Sequence, residues 1–246
     1  MSKRDAVVIA AALLLSACSG YTAGDSAKKA PNMAHVHMSH VLTGWKDTPD
    51  KKGLLPTAMA ETKIAKTHVD LALKQPNNLK WLKLHTGHVL HAVDPSVEPK
   101  GPGLGYGVMK AATGVAAHVN FAAGSDGASK NVKLHAQHVA TSAENTLGWV
   151  KQIVTLGKQV QASTSAAEAA AKVRQFDKLV VMLADGTDAN GDGKVTWVKG
   201  EGGLGQAELH MGFMSKGEDL TNEPVARKDR PSGGDGGGNR DGGGSY

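Results

Sequence analysis

The chain has 246 residues, with 28 Lys and Arg against 23 Asp and Glu, one Cys and eleven His. With 40% apolar residues it can bury a core, which excludes wholesale disorder, and a single Cys excludes a disulfide framework or a cysteine-based zinc finger. A formal charge of only +5, with no dense Lys/Arg run interleaved with aromatics, argues against nucleic acid as a partner.

Lys3 and Arg4 precede an apolar run from Ala6 to Leu15, which is too short to span a bilayer as a permanent helix. The run ends in Leu15-Ser16-Ala17-Cys18, and that is where the lone Cys sits. These residues resemble the lipobox of bacterial lipoproteins. The resemblance implies a signal peptide over 1–17, acylation of Cys18 as the new N-terminus, and a lipid-anchored place in the cell envelope. By the same analogy, Ser19 rather than Asp after the Cys points to the outer membrane. The small polar residues of 18–32 then read as a tether between lipid and domain.

From Met33 the pattern is helical, with breakers at intervals. A first helix is expected over 33–45, stopping near Thr48-Pro49, and a second from Leu55-Pro56 to Lys74, before Gln75-Pro76. Asn77 or Asn78 caps a third that ends at Val93, before Asp94-Pro95. After a Pro- and Gly-rich connection, a fourth helix covers 108–123, and Gly124-Ser125-Asp126-Gly127 separates it from a long fifth over 128–162. A sixth, Ala-rich, covers 166–184. Alternating Val/Ile/Thr strands bounded by hairpin turns are missing, so the expected fold is all-α. It is a His-lined helical bundle of about five helices over 33–162. A small EF-hand-like helix-loop-helix module follows over 163–220, then a disordered Gly-rich tail over 221–246.

Histidine gives the bundle a weak internal repeat. Each of its helices carries a His-Val step: His40-Val41, His68-Val69, His88-Val89, His118-Val119 and His138-Val139. Three steps have a second His one turn earlier, giving His37-x-x-His40, His85-x-x-His88 and His135-x-x-His138. Residues three or four apart share a helix face, so each pair aims two imidazoles the same way. The same faces carry core residues, which turns these imidazoles inward or onto the edge of the buried stripe. A lone inward His is ordinarily a hydrogen-bonded core residue. Eight on five helices, buried apart, would leave many ring nitrogens needing partners at about 1–3 kcal/mol for each one unsatisfied. Convergence on a shared ligand satisfies them together. The candidate metal ligands are therefore His37, His40, His68, His85, His88, His118, His135 and His138, with His35 and His91 placed at the rim.

Neutral imidazole suits Zn, Cu, Ni and Fe. Di-iron carboxylate sites need several Glu or Asp at helical spacing from His, and Glu61 alone offers that. Two ligand classes stay open. Copper or zinc ions could each be held by a His-x-x-His pair plus His from neighbouring helices. Haem b could instead be clamped between opposing helices, an arrangement favoured by the small residues Ser39, Thr67, Gly87 and Ala117 beside the His-Val steps. Met33, Met38, Met59 and Met109 could add soft copper ligands, although core filling is their simpler role. The absence of Cys-x-x-Cys-His excludes covalent haem.

Near the C-terminus, Asp188-Ala189-Asn190-Gly191-Asp192-Gly193-Lys194-Val195 resembles the first eight positions of an EF-hand calcium loop. The resemblance implies calcium ligands at Asp188, Asn190 and Asp192, with Lys194 at the backbone-carbonyl position. Lys199 replaces the usual bidentate Glu of the twelfth position, and Glu201 two residues later stands in for it. His210 in the exit segment has no evident partner and is expected at the surface. Hydrolase and nucleotide motifs are missing, so catalysis is the less expected role. The expectations are an envelope lipoprotein that stores, buffers or delivers copper or zinc, a haem b or copper electron carrier with a redox or metal-delivery partner, or a structural lipoprotein in which His merely packs.

Overall fold

The computed structural model describes residues 31–220. The expected signal peptide over 1–17, Cys18, most of the expected tether and the expected Gly-rich tail lie outside the described residues. Within them the chain is helical, with α1 (Met33–Leu42), α2 (Leu54–Leu73), α3 (Leu79–Val93), α4 (Val108–Gly124), α5 (Lys130–Ala162), α6 (Ala166–Asp185) and α7 (Leu204–Gly217). No strand occurs among the described residues, and no helix there is long and apolar enough to cross a membrane.

The helix ends follow the capping chemistry of the sequence. Asn32, Asn78 and Ser129 each turn a side-chain oxygen back onto the first-turn amides of α1, α3 and α5. Gly53 starts α2 where the chain passes so close to the end of α1 that a Cβ would fall 2.4 Å from the Leu42 carbonyl carbon. Only glycine fits there, and it brings α2 directly against α1.

The 33-residue α5 is the axis of the bundle. It is about 50 Å long at the usual helical rise, and it packs against α3, α4, α6 and α7. On the other side α2 packs against α3, α4 and α6, and α1 lies on α4. One face of α5 buries Val132, Val139, Trp149, Val150, Ile153 and Val160. The segment after residue 163 contributes to the same core: Phe176 and Leu183 of α6, with Leu204, Met211 and Met214 of α7, are wholly buried in it. The expected five-helix bundle is in this sense enlarged to seven by two helices that close over α5 and α2.

Glu61 lies on α2 with no exposed surface. Its carboxylate accepts from the amides of Leu104 (3.2 Å), Tyr106 (2.9 Å) and Gly107 (3.0 Å). A buried carboxylate needs such partners, and these three tie the connection between α3 and α4 down onto α2. Glu61 is thereby spent on the backbone.

Candidate metal centres

Three histidine triads stand out, each with ring nitrogens from all three residues within 4.8 Å of one another: His37, His40 and His118; His68, His85 and His88; His135, His138 and His210. Every triad takes an i, i+3 pair from one helix and a single His from a second. The pair comes from α1 and the single from α4 in the first triad, from α3 and α2 in the second, and from α5 and α7 in the third. The i, i+3 spacing places both imidazoles on one helix face, and the packing of the second helix supplies the third ring.

The geometry repeats closely. In the first triad His118 Nδ1 lies 3.0 Å from His37 Nδ1 and 3.3 Å from His40 Nδ1. His68 Nδ1 sits at the same two distances from His85 and His88, and His210 Nδ1 from His135 and His138. A neutral imidazole nitrogen carries either one proton or one lone pair. The central Nδ1 of each triad can therefore satisfy only one of its two close Nδ1 neighbours by hydrogen bonding. A shared cation satisfies all three. Zinc–imidazole bonds of about 2.0–2.1 Å put tetrahedral ligands about 3.3–3.4 Å apart, close to the two separations found at each central ring, so each triad could hold a single ion with a coordination position left over.

The electrostatics agree. Burial, reinforced by the two neighbouring imidazoles, pushes the single histidines His68, His118 and His210 down to about 4. Burial also lowers His40, with His37 adding to it, and His85, with His88 adding to it. Burial comes first again for His88, where His91 adds and Glu98 opposes, for His135, and for His138, where His135 adds. At neutral pH these rings are uncharged and their lone pairs are free to bind a cation.

Each triad also has one tryptophan against it. Trp45 lies 4.7 Å from the His40 ring and 4.6 Å from His118, Trp81 lies 4.3 Å from His85, and Trp197 stacks on His138 at 3.9 Å and 16°. Two of these are visibly held in place. Trp81 donates its indole N–H to the Leu71 carbonyl of α2 (2.7 Å). Trp197 rides on a loop fastened by Asn145 of α5, whose Nδ2 donates to Val198 and Gly202 carbonyls while its Oδ1 accepts from the Gly200 amide. In the first and third triads a Phe three residues after the single His also lies against the rings. Phe121 is 5.3 Å from His37, and Phe213 is 5.4 Å from His135.

All eight histidines expected from the sequence thus fall in triads, as three separate groups rather than one. The expectation for His210 is corrected. It is only 8% exposed and completes the third triad, because α7 folds back along α5 instead of standing in solvent. His35 and His91 stay outside the triads. His35 pairs through Nε2 with Glu218 (2.9 Å), joining α1 to the end of α7. His91 is 7% exposed, deeper than a rim position, with its Nδ1 on the Glu98 carbonyl. Of the four methionines considered for copper, Met38 is wholly buried in the core and Met33 is exposed.

The loop at 188–194 is folded around its own side chains. Asp188 accepts from the amides of Gly191, Asp192 and Gly193, Asn190 from Asp192, and Asp192 from Lys194. Glu201, 1% exposed, accepts from the amide and hydroxyl of Thr196. Compared with known proteins, the chain matches no protein-family model, no curated protein and no solved structure.

Proposed function

We propose that this protein binds transition metal ions, copper or zinc, one in each histidine triad, and stores, buffers or delivers them. The observation that carries this reading is the threefold repetition of three converging Nδ1 atoms, each set gathered from two helices. A single cluster is open to a packing explanation, whereas the same short contacts recurring at three places in one bundle ask for a common cause. The convergence also favours bare ions over haem b, since three nitrogens meeting at this spacing leave no room for the four pyrrole nitrogens that surround haem iron. Protein stripped with EDTA, then equilibrated with zinc and freed of excess, should contain three ions per chain by elemental analysis. A Soret band with iron in protein from its native source, or zinc below one ion per chain, would overturn the reading.

The cellular setting belongs to the same proposal. The lipobox-like Leu15-Ser16-Ala17-Cys18 supports a lipid-anchored envelope protein. Fatty-acid labelling of the full chain that persists in Cys18→Ala would refute it. The loop at 188–194 supports a calcium site, since Asp188, Asn190 and Asp192 follow the EF-hand ligand spacing and Gly191 and Gly193 take positive φ. Calcium should raise the melting temperature by a few degrees, and Asp188→Ala should abolish that rise. An equal rise in the variant would remove the loop from consideration.

A further inference from the structure

The three triads differ in what lies beside them. Phe121 and Phe213 cover the first and third, whereas the corresponding place in α2, three residues after His68, holds Leu71. At the α2–α3 triad, the ligand candidate His88 instead forms part of the wall of an open cavity of about 490 Å³. Trp81 lines the same cavity, together with Lys80, Lys83 and Lys100 against the single carboxylate of Glu98. A divalent ion held by three neutral imidazoles keeps its full charge and an open coordination position. Three lysines lining the cavity beside His88 make it a positively charged place that draws anions to that side of the triad.

We propose that the α2–α3 triad, alone of the three, holds its metal together with a small oxyanion, a carboxylate or a phosphate, seated in this cavity as the fourth ligand. This rests on the metal reading of the triads. An anionic oxygen there would complete the coordination sphere at one end and meet the lysines at the other, while the Trp81 ring closes one wall. The α2–α3 site would then take up or release its ion as a complex with the anion, and the Phe-covered sites would hold bare ions.

Cobalt(II) makes the idea measurable, because its visible bands report coordination. Protein loaded with cobalt and freed of excess is titrated with succinate and, separately, with inorganic phosphate, using succinamide as the uncharged control. One cobalt in three should change its spectrum with an anion and none with succinamide, and the tighter of the two anions identifies the class. His68→Ala should hold two cobalt ions and lose the response. The variant Lys80→Gln/Lys83→Gln/Lys100→Gln should keep three cobalt ions and bind the anion at least tenfold more weakly. A response that survives in His68→Ala, that involves all three ions, or that ignores the lysine substitutions would overturn the proposal, as would no response to either anion. Cobalt content before any anion is added tests the metal reading separately, since a chain that takes up no cobalt refutes that reading first.

Discussion

Replacing His210 by alanine should lower the zinc content from three ions per chain to two and leave the other triads loaded. His210 Nδ1 stands between His135 and His138 at 3.0 and 3.3 Å, so its removal leaves two imidazoles on one face of α5 and no third ring nitrogen opposite them. Metal held by the native state stabilises it by mass action, about 2.7 kcal/mol for each site when free metal is a hundredfold above the dissociation constant. The rise in melting temperature between EDTA-treated and zinc-loaded protein should therefore shrink by about a third in the variant. His40→Ala/His88→Ala/His138→Ala, which touches every triad, should abolish the rise. Three ions retained in His210→Ala would return His210 to the role of a packed core residue.

Acidification should empty all three sites and destabilise the protein that carries them. His68, His118 and His210 titrate near 4 in the folded chain against about 6.5 when unfolded. Between those values the unfolded state binds more protons than the folded one, so stability falls as pH falls. The contribution is fully present above about 6.5 and is lost as pH drops through about 4. EDTA-treated protein should melt at progressively lower temperature across that window. Zinc-loaded protein should hold its melting temperature to lower pH, because protons must displace the ion, and then release zinc and unfold together. Melting curves with and without zinc from pH 7.5 to 4 check this. A flat profile for the apoprotein would mean that the rings are not held neutral by burial.

Much of this was legible in the sequence, because the signals were local. Prolines and Asn or Ser caps set the helix limits to within a few residues, and the i, i+3 histidine pairs needed only helical geometry to be read as shared faces. Which helix supplies the third ring is a matter of tertiary packing, and no local pattern shows that α4 crosses α1 or that α7 returns along α5. His210 was missed because Met211, not Val, follows it, and because it lies beyond the calcium-like loop. A different signal was available. His118-x-x-Phe121 and His210-x-x-Phe213 share a spacing, and both Phe rings lie against their triads. Glu61, the one carboxylate at helical spacing from a bundle histidine, is claimed by the backbone amides of the following connection.

The way each triad spans two helices bears on the order in which the chain can assemble. The second triad joins residues 17 and 20 apart in sequence, whereas the first joins residues 78 and 81 apart and the third 72 and 75 apart. Closing the shorter loop costs about 1.3 kcal/mol less chain entropy. It needs only a helical hairpin, with no help from distant segments. A newly made chain could thus capture an ion between α2 and α3 before the long α5 has found its neighbours. An ion captured there would act as an early cross-link, a template on which the remaining helices collect. The two long-range sites would then close last, as locks on the finished bundle.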